Sequence, residues 1–269
     1  MDVDQRAALA PAADLVVRLV ADARTRPPSA SVVVGLAGGV AVGKTATSSM
    51  LAAVLADRDG LRVEVVSTDG FLFPNAELER RGLSARKGFP ESYDHERLVK
   101  FVVAVRERRP ITVPRYDHLT YDVTVDGGVQ IEAPDVLVLE GVNALQEPLV
   151  DRLDLAIYLH ADEEDLRRWY HARIRQLRAD APGDGSSWYD GFTGMSDDEF
   201  AVIADTVWDS INGPNLADHI APTRARADVV VEKAADHSIR SLHLVSPRSR
   251  AEKRARAVRR PRGPEGRAT

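Results

Sequence analysis

The 269-residue sequence predicts an α/β fold, a mostly parallel sheet with helices on both faces. Three observations carry that expectation. Short apolar, β-branched runs alternate with longer segments of helical period along the chain. The stretch GGVAVGKT, Gly38 to Thr45, has glycine, four residues, then Gly-Lys-Thr, the spacing of a phosphate-binding loop. That loop follows an apolar run, SVVVGLA (Ser31 to Ala37), and precedes a helical one, TATSSMLAAVLADR (Thr45 to Arg58). Strand, loop and helix is the setting the motif requires, and it makes the expected class a P-loop NTPase-type fold.

The loop also predicts chemistry. Glycines let the backbone curl so that successive N–H groups point at phosphate oxygens. Gly38, Gly39, Val40, Ala41, Val42, Gly43, Lys44, Thr45 and Ala46 are therefore expected to hold ATP. Lys44 would reach the outer phosphates and the Thr45 hydroxyl would sit on Mg²⁺.

The elements follow in order. A first helix is expected over Asp14 to Arg24, ended by Pro27-Pro28, so that residues 1–30 form an N-terminal helix and linker. After the loop and its helix, LRVEVVSTDGF (Leu61 to Phe71) reads as a strand running into a loop. FLFPNAELERRGLSARKGFPESYD has little apolar periodicity and reads as an excursion over the active face. HERLVKFVVAVRER (His95 to Arg108) is an amphipathic helix. Ile111 to Ile131 holds β-branched runs around Asp126-Gly127-Gly128, a hairpin signal. DVLVLEG (Asp135 to Gly141) and LDLAIYLHA are strands. Asp162 to Asp180 and Ser196 to Ile211 are helices, and ADVVVEKAADHSI gives a late strand and a turn. The phosphate-loop domain would then span residues 31–245.

The net charge of −5 conceals an asymmetry. The segment from Ser246 onward carries nine Lys/Arg against two Glu, so the rest is more acidic than the total. An acidic body argues against a dedicated nucleic-acid binder; the basic tail (246–269) reads as a solvated, disordered extension able to touch RNA or an anionic partner. There is no cysteine, which excludes disulfides, thiolate metal sites and a cysteine nucleophile and fits a reducing cytoplasm. Neither a secretory signal nor a membrane span is expected.

In such sheets ligands gather at the carboxyl ends of strands. Asp69, after VEVVS, and Glu140, closing DVLVLE, stand at two such ends beside the loop. Either acid can serve Mg²⁺, and Asp69 can instead accept a proton from a substrate hydroxyl; a lone acid there can also be a mere cap or turn former. The helix from Asp162 offers Arg167, Arg168, Arg173, Arg175 and Arg178 as cations for a transferring phosphoryl group. Spacing does not say which of them serves and which is solvated face.

STDGFLFPNAELERRGLSARKGFPESYD, PRYDHLTYD, PDVLVLEGVNALQ, WYHARI, INGPNL and APTRARADVVVEKAADHSI follow GGVAVGKT in order. Together they resemble the type I pantothenate kinase family, from about Val32 to about Leu244. The resemblance implies an ATP- and Mg²⁺-dependent homodimer that phosphorylates the hydroxyl of pantothenate, the first step toward coenzyme A. It implies Lys44 on phosphate, Thr45 toward the metal, Asp69 as base and Arg173 neutralising the moving phosphate, with Glu140 expected from its strand-end position to support the metal. It implies Tyr116, His118, Tyr170 and Asn215 on pantothenate and His237 beside adenine.

The sequence departs from the family pattern in several places. Gly39 replaces a serine, and Thr45-Ala46-Thr47 replaces Ser-Thr-Thr, keeping the metal hydroxyl. Asp117 stands between Tyr116 and His118 where serine is usual, adding negative charge near an anionic acceptor. Ser49 replaces an arginine associated with feedback by coenzyme A, and Ile174 and Leu177 replace aromatics of the pocket wall. The region before Ser31 is short. A paralogue acting on a nucleoside, sugar or glycerate is the alternative enzyme. A nucleotide-binding regulator without catalysis is a further alternative, opposed by intact Asp69 and Arg173.

Overall fold

The apolar runs become strands. The computed structural model describes residues 3–25 and 30–245. Its strands are β1 (Val32–Gly38), β2 (Val63–Ser67), β3 (Ile111–Asp117), β4 (Asp122–Ile131), β5 (Val136–Glu140), β6 (Leu155–His160), β7 (Val229–Lys233) and β8 (Ile239–Leu244). Six of them form one sheet in the order β2-β5-β1-β6-β7-β8. All its pairings are parallel except the last, where β8 returns antiparallel on β7. β1 and β5 are buried along their whole length, as parallel strands covered on both faces must be.

Alternation decides which layer each side chain joins. Val32, Val34 and Leu36 of β1 face a core built with α2 (Ala10–Arg24), α3 (Lys44–Asp59) and α6 (Glu163–Ala179), through Val16, Leu51, Leu55 and Trp169. Val33 and Ala37 face the opposite layer, where α5 (His95–Arg106) contributes Leu98, Phe101 and Val105. The expected sheet with helices on both faces is therefore present.

Four local expectations change. The N-terminal helix begins at Ala10 rather than Asp14, after a short α1 (Val3–Ala8). Pro11 sits in its first turn, where the missing N–H has no helical partner to lose. Pro27-Pro28 and the tail from Ser246 lie outside the described residues. The excursion after β2, which includes α4 (Asn75–Arg80), is anchored by buried Leu72, Leu78, Phe89 and Tyr93, so it carries more core than its charge suggested. The hairpin turn falls at 118–121, not at Asp126-Gly127-Gly128, which lies within β4. The β3–β4 register jumps from Val113↔Val129 to Arg115↔Thr124. Pro114, with no N–H for the ladder, stands at that jump, so the glycine-rich run bulges opposite it instead of turning.

The helix expected to reach Ile211 ends earlier. α7 covers Asp197–Val207, and the chain continues in π-turns over Trp208–Asn212 and Leu216–Ile220, flanking an α-turn at Gly213–Asn215. Pro214 cannot donate to a helical ladder, and irregular turns of this kind often carry functional residues.

Candidate active site

The phosphate loop joins β1 to α3. Gly43 has φ of 88°, a left-handed conformation that glycine adopts without a side-chain penalty. Lys44 follows as the first helical residue, and its Nζ donates to the carbonyls of Gly38 (3.3 Å) and Gly39 (2.8 Å). Thr45 Oγ1 donates to Glu140 Oε1 at 3.0 Å. Register explains that meeting: Leu36 of β1 pairs with Glu140 of β5, so the end of β5 lies under the start of α3. Burial raises the Glu140 carboxyl, and the Lys44 ammonium is the main influence holding it down. Burial in turn lowers Lys44, against the pull of Glu140 and Asp69. The donor set, one hydroxyl and one carboxylate, is hard oxygen and fits Mg²⁺, which commonly takes one or two protein oxygens with phosphates and water.

Asp69 lies one strand over, in a 3₁₀ turn (Thr68–Phe71) closing β2. Its N–H donates to Ser67 Oγ at 3.3 Å, and its Oδ1 accepts from the Tyr93 hydroxyl at 3.3 Å. Gly70 lets this turn touch β3: a Cβ there would lie 2.3 Å from the Pro114 carbonyl oxygen. The close approach aligns Asp69 with Tyr116 and the turn bearing His118. Tyr93 is buried and its phenol is raised well above the usual value, first by burial and then by Asp69.

Around Asp69 the structure gathers a polar, aromatic pocket. Lys87 Nζ donates to Asn75 Oδ1 (2.6 Å) and the Tyr121 carbonyl (2.5 Å), and lies 4.2 Å from the Tyr121 ring centroid. Burial lowers it to about 8, opposed by Asp122 and Asp69. Tyr116 packs edge-on to both His118 (5.1 Å) and Tyr121 (6.0 Å). Burial and the Arg173 charge lower His118, against Asp69 and Asp117. Burial lifts the phenols of Tyr116 and Tyr170, and Tyr121 to about 12. Asn215 is 4% exposed; its Nδ2 donates to the Gly88 carbonyl at 2.8 Å while its Oδ1 has no hydrogen-bond partner among the described residues.

The arginines of α6 now separate. Arg167 pairs with Asp205 and Asp209, Arg168 with Asp165 and the Ala235 carbonyl, and Arg178 with Asp197. Neither Arg173 nor Arg175 has an ion pair among the described residues; Arg173 differs in that its charge acts on Lys44, His118 and Tyr121. His237 sits at the β7–β8 turn, stacked on Trp169 with ring centroids 3.8 Å apart. Asp117 caps the hairpin turn, its Oδ1 accepting from Leu119 N–H at 2.8 Å. Ile174 and Leu177 do lose aromatic surface, but Tyr189, Phe192 and Phe200 pack beside them from the next segments. Lys87, Tyr93, Tyr121 and Tyr189 escaped the sequence reading. A lone lysine beside Gly88 and Pro90, in a segment crossing the strand ends, was the available signal for Lys87.

This geometry is that of a P-loop kinase: a phosphate loop and strand-end acids on one side, a separate polar pocket on the other. A family model described as Phosphoribulokinase / Uridine kinase family matches residues 33–176. A pantothenate kinase from Sorangium cellulosum is 50% identical over 221 residues, covering 79% of this chain and 72% of that protein. One from Nocardioides sp. is 44% identical over 232 residues, covering 81% and 70%. D-glycerate 3-kinase from Cryptococcus neoformans shares the fold, with a TM-score of 0.61 at 14% identity over 88% of this chain and 99% of that one. The chain belongs to the phosphoribulokinase/uridine kinase family and, within it, to the pantothenate kinases.

Proposed function

We propose that this protein transfers the γ-phosphoryl group of ATP to the hydroxyl of pantothenate. The observation that carries the reading is the position of Asp69. It lies between the Lys44–Thr45–Glu140 group and the pocket of Lys87, Tyr116, His118 and Tyr121, in a chain half identical to a pantothenate kinase over most of its length.

Lys44 and the loop N–H groups bind the phosphates. Thr45 and Glu140 would hold Mg²⁺, which would neutralise phosphate charge when bound. Asp69 orients the acceptor hydroxyl and takes its proton as the new O–P bond forms and the bond to the ADP oxygen breaks. Arg173, paired with no carboxylate among the described residues, offers its charge to the moving phosphoryl group. Tyr116, His118, Tyr170 and Asn215 position the rest of the acceptor, and His237 flanks the adenine. Little covalent chemistry is asked of the protein, since positioning and charge neutralisation lower the barrier.

The same reading carries a cytoplasmic homodimer, checked by mass in solution and by fractionation. Among the described residues no helix is long and apolar enough to cross a membrane. The decisive assay is ADP release from purified protein and MgATP, with and without pantothenate. Pantothenate-dependent ADP with one phosphorylated product per ADP supports the reading. ATP binding without pantothenate-dependent turnover overturns it and directs the assay to nucleosides, sugars and glycerate.

A further inference from the structure

The β3–β4 turn, residues 118–121, brings His118 and Tyr121 to the proposed acceptor pocket, and it carries local strain. Tyr121 has φ of 54°, a left-handed conformation that a bulky side chain rarely adopts. Such a residue persists where its surroundings fix it from more than one side. One side is the excursion: Lys87 Nζ and Asn75 Nδ2 (3.1 Å) both donate to the Tyr121 carbonyl. The other side is the segment joining α6 to α7, which the scheme above leaves without a role.

That segment grips the turn at two points. Trp188 N–H donates to the Leu119 carbonyl at 2.7 Å, and Ser187 Oγ adds a longer bond to the same oxygen at 3.4 Å. The Trp188 ring stacks on Tyr121, with centroids 5.1 Å apart and an interplanar angle of 25°. Phe192 backs the indole at 4.7 Å and in turn meets Phe200 of α7 at 5.7 Å. Trp188 is 45% exposed, so ring contacts, rather than enclosure in a core, fix it.

One carboxylate shapes the gripping segment. Asp190 accepts from the N–H groups of Gly183 (2.7 Å), Gly185 (2.9 Å) and Ser187 (3.0 Å). Gly183 and Gly185 have φ of 75° and 84°, which lets the chain curl around a single side chain. Ser187 caps the 3₁₀ turn Trp188–Phe192, its Oγ accepting from Tyr189 N–H at 3.1 Å. Ser187 and Trp188, the two residues that hold Leu119, therefore lie inside the loop that Asp190 closes.

We propose that Asp190 is a positioning residue for the acceptor: through Ser187 and Trp188 it holds the β3–β4 turn, and with it His118 and Tyr121, in the binding geometry. The inference rests on the kinase reading above. It gives a role to a carboxylate that makes no ion pair among the described residues and spends its oxygens on three backbone N–H groups.

Asp190→Ala removes the acceptor of all three bonds from a segment outside the sheet. The expected result is a rise of about tenfold in KM for the acceptor, the order of one lost charged hydrogen bond, with KM for ATP close to wild type. Trp188→Ala should raise the acceptor KM by a similar factor. Trp188→Phe keeps a stacking ring and the N–H and should stay within about twofold. The double variant Asp190→Ala, Trp188→Ala should lose little more than either single one, because both act through one turn. Acrylamide quenching reads the contact without any acceptor: Trp169 and Trp208 are buried, so quenching reports chiefly on Trp188, and it should rise in Asp190→Ala.

An acceptor KM within twofold of wild type in Asp190→Ala, unchanged quenching, or losses that multiply in the double variant overturn the inference. So does a fall in thermal midpoint with both KM values raised, which would make the carboxylate merely structural. Wild-type turnover is measured first. Absence of pantothenate-dependent ADP sinks the substrate reading alone, and the same variants are then compared on the alcohol that the wild type phosphorylates.

Discussion

The phosphate-donor half and the acceptor half of the site are built in opposite ways. The donor half is one contiguous segment, Gly38 to Thr45, plus a single acid, Glu140, delivered by the neighbouring strand. Its supports are central parallel strands buried on both faces. The proposed acceptor half draws Lys87 from an excursion, Tyr116 and Tyr121 from a hairpin, Tyr170 from α6 and Asn215 from an irregular helical turn. Backbone geometry suffices for phosphate, whose chemistry is the same for every P-loop enzyme. Side chains from separate loops are needed to recognise one alcohol among many, and loops can change without disturbing the sheet.

Asp69 joins the two halves, so its loss should have the largest effect. Asp69→Asn is expected to reduce kcat by about 10²–10⁴ while ATP still binds, measured by steady-state turnover and nucleotide titration. Near-normal turnover would remove it from the proton-transfer role and leave the two halves without a shared residue.

Arg173→Ala should come next, lowering kcat by about 10²–10³ with little change in either KM, because its charge is used in the transition state. Arg175 is a neighbouring control on the same helix, and Arg175→Ala should leave kcat within about twofold. Equal losses in both variants would mean that the helix as a whole, not Arg173 in particular, serves the phosphate.

A smaller, pH-dependent effect separates the halves. Burial holds the Lys87 ammonium at about 8, against 10.5 for an ordinary lysine. Between these values the folded state binds fewer protons than the unfolded chain, so this residue makes stability rise with pH there. Its contribution to an anionic acceptor moves the other way and fades above pH 8. The acceptor KM should rise by about tenfold between pH 7 and pH 9, with KM for ATP steady and the dependence absent in Lys87→Met. A parallel rise in both KM values would locate the titration outside the acceptor half.

The smallest effect concerns Asp117. Since its carboxylate is engaged by Leu119 N–H, Asp117→Ser should cost about 0.5–1.5 kcal/mol by thermal or urea unfolding and shift the pantothenate KM by less than about twofold. A marked fall in KM would instead show that the carboxylate repels the acceptor.

Much of this was legible in the sequence where function and local structure coincide. β-Branched runs, the glycine spacing and the strand-end acids report on chain segments whose behaviour depends mainly on their own residues; they sufficed for the class of fold and marked Lys44, Thr45, Asp69 and Glu140 as the candidates on which the proposed function rests. The hairpin turn was misplaced because Asp126-Gly127-Gly128 suits a bulge as well as a turn, and Pro114, on the partner strand, decides between them. Arg173 could not be told from Arg167, Arg168 or Arg178 by spacing, because the carboxylates that occupy those three come largely from other segments. Lys87 and Tyr121 gain meaning only when the excursion meets the β3–β4 turn. A residue's type and its near neighbours determine what it can do; which charges are already paired is set by long-range packing, and that only the tertiary structure decided.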